Sequence, residues 1–319
     1  MAGSPARPRL LFVAANASID RLYEVDRLVL GSIHRPTAVV ARAGGKGLNA
    51  ARAAAALGAR VTVVGIVGGR SGDWIVERLA VAGVEANMLR SAGETRTCVS
   101  ILDRSTGALT ELYERGEGIE PDAWDSLEAI VSRELDRRDV GALAFSGSLP
   151  PGAPTDGYAR IARLAGARSV PVLADAYGPA LADVLAERPA VVKVNATEAG
   201  DAAGIDVVDA ASAVAAAHVL RDRGAVAAVV TLGTAGAVAV SAAGDARLEP
   251  PDVRGAYPVG SGDAFLAGLA TALVGGSPLV EAARRGMAAG IANALQPGAG
   301  ELDRETAERL VGLVTVTPA

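Results

Sequence analysis

The sequence predicts an α/β fold: a mostly parallel central sheet, helices on both of its faces, and a small β-sheet lid. Three observations predict it. Uninterrupted apolar runs alternate with Ala-rich segments of helical spacing along most of the chain, the pattern of strands buried on both faces. Two early segments, approximately 33–43 and 95–116, have strand character with no helix inside them, and so form a separate small sheet. Glycine-rich turns precede helices at Gly44–Gly47 and Gly260–Gly262, and open α/β sheets bind ligands at such turns beyond the carboxyl ends of their strands. No linker, repeat or low-complexity tail divides the 319 residues, so one domain over 1–319 is expected.

In order, the strands expected in the main sheet are Leu10–Ala14, Val61–Val67, Ala142–Ser146, Val170–Asp175, Ala190–Val194 and Ala225–Leu232. The helices expected between them are Leu48–Leu57, which stops at Gly58, Trp74–Ala82, which stops at Gly83, Asp122–Arg138 and Thr155–Ala167. Lid strands are expected at Arg35–Ala43, Thr97–Asp103 and Leu109–Arg115, the last two joined by the hairpin loop Arg104–Gly107. From Gly262 onward the chain reads as helical, over Gly262–Val274, Leu279–Leu295 and Asp303–Val314.

Composition narrows the function. Aromatic residues are 3% of the chain and the net charge is −5, which speaks against nucleic-acid binding by base stacking or by general polyanion attraction. A small anionic substrate needs only two or three placed cations and remains allowed. The single Cys98 makes no internal disulfide, and no Cys/His cluster suits zinc. With only His34 and His218 present, the chemistry is expected to run on a carboxylate. Arg7–Ala17 reads either as a secretory signal or as a first buried strand leading into a polar turn at Asn16, and the strand is favoured. No apolar run is long enough to span a membrane, so a cytoplasmic protein is expected.

Three motifs carry chemistry. In Val259–Gly268, Gly260, Ser261 and Gly262 open a helix whose unpaired N–H groups form an anion site, and Asp263 stands in its first turn. Asp263 reads as a base for a hydroxyl proton or as a simple helix cap. Ala43–Ala51 is a second glycine turn into a helix, without the spacing of a Walker A loop or of G-x-G-x-x-G. Its Lys46 and Asn49, with the turn's N–H groups, suit a polyhydroxylated ligand. Thr231–Gly236 follows a buried strand and leaves room for an adenine or a phosphate.

These segments, in this order and over nearly the whole chain, resemble the PfkB carbohydrate kinase family, also called ribokinase-like. The N-terminal signature corresponds to Gly44–Ala51 with Gly58 and Gly65–Gly69, and the C-terminal one to Gly260–Gly268. The resemblance implies a ribokinase-like three-layer α/β/α fold with a β lid, and transfer of the γ-phosphoryl group of ATP, with Mg²⁺, to a sugar hydroxyl. Gly93–Cys98, Ser146–Gly152 and Pro258–Asp263 are similar to the 1-phosphofructokinase and tagatose-6-phosphate kinase branch. Tyr257-Pro258-Val259 stands where ribokinases more often have Asp-Thr-Thr, a departure that favours the sugar-phosphate branch.

Carried over by position, the resemblance implies that Asp263 is the base and that Gly260, Ser261 and Gly262 are the anion hole. Asp20, Gly44, Gly45, Asn49 and Ser146 would form the sugar pocket. Arg96, with Arg35 and Lys46 as further candidates, would meet the substrate's own phosphate, Arg96 ranking first because a guanidinium grips phosphate through two hydrogen bonds. Lys193, Asn195 and Glu198 resemble the family's Asn-x-x-Glu segment, with Glu198 acting on the metal indirectly through Mg-ATP. Thr231, Gly233 and Gly236 resemble the nucleotide loop, with Asn293 near the adenine. The expected partners are a sugar phosphate and ATP, without nucleic acid or membrane, and an exposed lid sheet is suited to pair two copies as a homodimer. Fructose 1-phosphate, tagatose 6-phosphate and fructose 6-phosphate are the expected acceptors. A kinase of the same fold for a neutral sugar or nucleoside, and a non-catalytic nucleotide- or sugar-binding regulator, are the alternatives.

Overall fold

The computed structural model describes residues 8–319. The first seven positions of the predicted domain, including the Arg7 that opens the candidate signal, lie outside the described residues. Strand β1 (Arg9–Ala14) is buried along its whole length and pairs in parallel with β4 (Arg60–Gly68) and β8 (Val140–Ser146). β5 (Glu85–Ser91), β9 (Val172–Asp175), β10 (Val191–Asn195) and β11 (Ala227–Thr231) continue the parallel array. The antiparallel strands β12 (Ala237–Ser241), β13 (Gly244–Glu249) and β14 (Thr315–Pro318) complete a ten-stranded sheet ordered β14-β13-β12-β11-β10-β9-β8-β1-β4-β5.

The alternation of side chains along β1 divides the core in two. Leu10 and Phe12 point to the face packed by α1 (Lys46–Ala56), α8 (Ser261–Val274) and α9 (Leu279–Ala294), where Leu48, Leu266 and Ala283 are fully buried. Leu11 and Val13 point to the other face, against Trp124 and Leu127 of α3 (Ala123–Leu135) and Tyr158 and Ile161 of α4 (Gly157–Gly166). Every expected main-sheet strand and every expected helix is present, with ends moved by a few residues, as hydrogen bonding at the termini dictates.

The differences have physical causes. α2 (Gly69–Val81) begins at glycines that sequence reading leaves in a loop. β5 and β14 are edge strands without a continuous apolar run, and β14 is fully exposed, so the C-terminal part is not purely helical after α10 (Arg304–Val311). The lid has four strands, ordered β3-β2-β6-β7: β2 (Ser18–Val25), β3 (Ala38–Gly44), β6 (Thr97–Asp103) and β7 (Leu109–Tyr113). The expected segments hold β3, β6 and β7. β2 escapes sequence reading because Asp20, Arg21 and Glu24 interrupt its apolar residues. Asp20 therefore lies within a lid strand, not in the turn after β1. Among the described residues no helix is long and apolar enough to cross a membrane.

Candidate active site

A cleft of about 660 Å³ lies between the lid and the carboxyl ends of the parallel strands. Ala14 ends β1 there, Ser146 ends β8, Asp175 ends β9, Asn195 ends β10 and Thr231 ends β11, and all five line it. The volume suits a small ligand pair held at the switch side of an open sheet. Asp20 and Cys98 reach it from the lid, and Gly45, Lys46, Gly47 and Asn49 from the start of α1.

Asp263 sits in the first turn of α8, whose N-cap Gly260 has a left-handed backbone (φ 84°). A Cβ at Gly260 would come within 2.6 Å of the Gly300 nitrogen, so both conformation and space require glycine. The Asp263 side chain makes no cap to its own helix; Oδ2 accepts from Nδ2 of Asn49 at 3.1 Å. Burial, with the nearby Asp175 carboxylate, pushes its pKa from the ordinary 3.8 up to about 7, although Lys46, Lys193 and the Asn49 hydrogen bond pull the other way. A carboxyl poised there is suited to take a proton at neutral pH.

Asn49 is itself buried and bridges two acids, since Nδ2 also lies 3.4 Å from Oδ2 of Asp20. Arg52 donates to Asn49 Oδ1 and fixes which end of the amide faces them. Asp20 further accepts from Ser18 Oγ at 2.6 Å and from the Gly45 N–H at 3.3 Å. A Cβ on Gly44 would fall 2.1 Å from the Asp20 carboxyl carbon, which explains the glycine by close approach. The two glycine turns, far apart in sequence, thus meet at Asn49.

At the end of β10, Asn195 and Glu198 form a reciprocal capping box on α6 (Ala196–Ala203), each bond 2.9 Å. Lys46 Nζ lies 3.7 Å from the free Oε1 of Glu198 and 5.5 Å from the ring of Tyr177. Burial alone would lower the Lys46 pKa, but Asp175, Asp263 and Glu198 together raise it, so it stays cationic. Lys193 and Asp175 form a buried ion pair at 2.7 Å, and a Cβ on Gly262 would meet Lys193 Nζ at 3.1 Å. Gly233 lines the cleft with open space where a side chain would stand.

Arg96 lies in the segment just ahead of β6 and lines the cleft. Its terminal nitrogens are anchored on the carbonyls of Glu114 (2.9 Å) and Asn16 (3.3 Å), while Nε is buried with no partner. The buried Ser146 Oγ likewise has none. Both residues line the cleft, so its wall holds two buried polar atoms without a partner.

Several expected residues stand elsewhere. Arg35 is in the exposed loop between β2 and β3 and does not line the cleft. Asn293 is fully buried beside the Gly260–Gly262 turn and is not open to an adenine: its Nδ2 holds the Val259 carbonyl at 2.9 Å and its Oδ1 accepts from the Gly300 N–H at 2.8 Å. Gly44, Ser261 and Gly236 do not line the cleft. Sequence reading overlooked Asp175, Asn16, Ser148, Tyr113 and Tyr177, which also line the cleft. For Asp175 the signal was present, a charged residue closing an apolar strand.

Among the described residues no three His, Cys, Asp or Glu side chains gather to cage a metal ion. Mg²⁺ keeps much of its water and is commonly held by one or two carboxylates plus substrate phosphates. The donor set, with Glu198 beside the cleft, fits an ion carried on a nucleotide and not a protein-only cage.

The pfkB family carbohydrate kinase description matches residues 10–307. A tagatose-6-phosphate kinase of Staphylococcus epidermidis is 30% identical over 96% of this chain and 99% of its own length. A 1-phosphofructokinase of Rhodobacter capsulatus is 34% identical over 86% of this chain and 87% of its own. The solved tetrameric inhibited form of phosphofructokinase-2 from Escherichia coli superposes with a TM-score of 0.86 at 26% identity, covering 96% of this chain and 99% of that one. The shared fold is ribokinase-like, as also seen against an Arabidopsis thaliana ribokinase at a TM-score of 0.77. With both signatures folded into one cleft and a family match running almost end to end, this chain belongs to the pfkB family of carbohydrate kinases.

Proposed function

We propose that the chain works as one kinase domain that transfers the γ-phosphoryl group of ATP to a hydroxyl of a hexose phosphate, with Asp263 as the base. The observation that carries this reading is the buried carboxyl of Asp263, held near neutral pKa at the mouth of a helix N-terminus and hydrogen-bonded to Asn49. Asp20 and Asn49 orient the sugar through its hydroxyls, and Asp263 takes the proton of the attacking one. The N–H groups of the 260–262 turn face the charge that builds on the transferring group. Lys46, between Asp263 and Glu198, balances negative charge across the cleft. When bound, Mg²⁺ supplies charge neutralisation on the nucleotide phosphates, and Glu198 is the side chain placed to steady it.

The acceptor is assigned as a sugar phosphate because Arg96 offers a buried, unpartnered Nε at the lid side of the cleft. The relatives named for tagatose 6-phosphate and for 1-phosphofructokinase activity support the same class. We further assign a homodimer through the lid. Tyr23 pairs with Val39 and Ile101, and Val99 with Leu112, so these five share the lid face opposite Asp20 and Cys98. Val39 and Leu112 are exposed on that face.

A panel of fructose 1-phosphate, fructose 6-phosphate, tagatose 6-phosphate, ribose and adenosine, each assayed for ADP release and for phosphorylated product, tests the substrate class. Turnover with a sugar phosphate at least tenfold more efficient than with ribose or adenosine is expected. Preference for a neutral acceptor overturns it.

A further inference from the structure

Tyr257, in the segment leading into the catalytic turn, has no part in the site as described. Its hydroxyl donates to Oε1 of Glu24 on lid strand β2 at 2.9 Å, joining residues far apart in the chain. Glu24 is tied into the lid, its carbonyl accepting from the Thr37 N–H at 2.8 Å. Tyr257 is tied into the body, its N–H donating to the Ala294 carbonyl at 3.0 Å. Nδ2 of Asn293 lies between the carbonyls of Tyr257 and Val259, and Gly260 follows at once. The hydrogen bond to Glu24, together with burial, raises the Tyr257 pKa, so the hydroxyl remains a donor through the neutral range. A second link between lid and body is the ion pair of Arg42 with Glu301 at 3.0 Å, next to Gly300, which also rests on Asn293.

We propose that Tyr257 and Glu24 form a strap through which the position of the lid sets the position of the Gly260–Gly262 turn, coupling phosphoryl transfer to a sugar-filled, closed cleft. Tyr257 is a positioning residue in this scheme. It touches neither sugar nor nucleotide and acts through the backbone of residues 257–260. The proposal rests on the kinase reading above and adds a device to it. With the strap cut, the turn loses its dependence on the lid, sugar is held less tightly, and water attacks the γ-phosphorus in place of the sugar hydroxyl. The bond to the bridging oxygen then breaks, ADP leaves with that electron pair, and the water proton passes to solvent.

The test uses Tyr257→Phe, Glu24→Ala, Glu24→Gln and the Phe/Ala double variant of the full chain. Phe keeps the ring, and Gln keeps an acceptor without the charge. Expected for Tyr257→Phe and Glu24→Ala is a rise of roughly tenfold in KM for the sugar phosphate, the scale of one hydrogen bond to a charged group. ATP hydrolysed per sugar phosphorylated should rise, with the KM for ATP and the melting temperature little changed. The double variant should be no worse than either single, and Glu24→Gln should recover part of the loss. Hydrogen exchange of the amides at 257–262 in the free protein should quicken in Glu24→Ala, a readout independent of any sugar. Additive effects, an unchanged hydrolysis ratio, or unaltered exchange at 257–262 overturns the strap. A wild type that transfers to no sugar defeats the kinase reading instead, while the exchange experiment still decides the strap.

Discussion

Replacing Asp263 by Asn tests the base and its setting together. Asn is nearly the same size and still offers an oxygen to Nδ2 of Asn49, so the hydrogen bond survives and the proton acceptor does not. Loss of a general base lowers kcat by about 10²–10⁴-fold, with binding of ATP and sugar largely retained. The same change has a consequence for stability. Raising the pKa from 3.8 to about 7 means that the folded chain keeps a proton the unfolded chain has already lost. Stability therefore falls as pH rises from about 4 to about 7 and is level above that. At about 1.4 kcal/mol per pKa unit the cost of the ionised carboxylate is about 4.5 kcal/mol, of which roughly 2–3 kcal/mol develops between pH 5 and pH 8. The Asn variant escapes this cost. Its melting temperature should exceed that of the wild type by a margin that widens by ~4 °C between pH 5 and pH 8 for a chain of this length. Thermal melts at both pH values, beside an ADP-release assay with a sugar phosphate, make the comparison. Near-normal turnover would remove the base assignment, and a margin that does not change with pH would remove the buried, neutral-range carboxyl.

Three further outcomes are expected. Arg96→Ala should raise KM for phosphorylated sugars by tenfold or more, about the value of one charged hydrogen bond, and barely alter KM for neutral ones; equal effects on both would refute a phosphate role. The kcat/KM of the wild type should climb with pH through about 7 as Asp263 ionises, and Asp175→Asn should move that limb to lower pH, because it removes a negative neighbour and frees the charge of Lys193. A limb that stays in place would disconnect Asp175 from the base. Leu112→Asp, on the exposed lid face, should convert a dimer to a monomer in analytical ultracentrifugation, and an unchanged mass would place the contact elsewhere.

How much of this was legible in the sequence depends on which forces act locally. The main-sheet strands were readable because burial on both faces demands continuous apolar runs, and β1, β4 and β8 show them. The Gly260–Gly262 turn was readable because Gly260 needs a backbone that other residues resist, and such needs leave marks at fixed spacing. β2 was not, because its side chains serve lid and cleft at once: Asp20 faces Asn49 while Tyr23 faces outward, so no simple alternation of apolar and polar residues survives. Asn293 was misplaced for a related reason. An amide within an Ala-rich helix carries no sign of whether it meets a ligand or a backbone, and here two backbone groups already satisfy it.

The protonation of Asp263 illustrates what no local pattern can carry. Its aspartate and its glycines are visible as a motif, and that motif is equally that of a helix cap. What sets its proton affinity is the company brought from elsewhere: burial, Asp175 from the end of β9, Lys193 from β10, Asn49 from α1. The first two raise its proton affinity, and the other two restrain the rise enough to leave it near neutrality. Each contributor comes from a different element, so the pKa is a property of the topology. A sequence keeping every signature glycine but with Asp175 and Lys193 both replaced by apolar residues would still match the motif. Its carboxyl would answer to burial, Lys46 and Asn49 alone, and its pH–rate profile would differ for that reason.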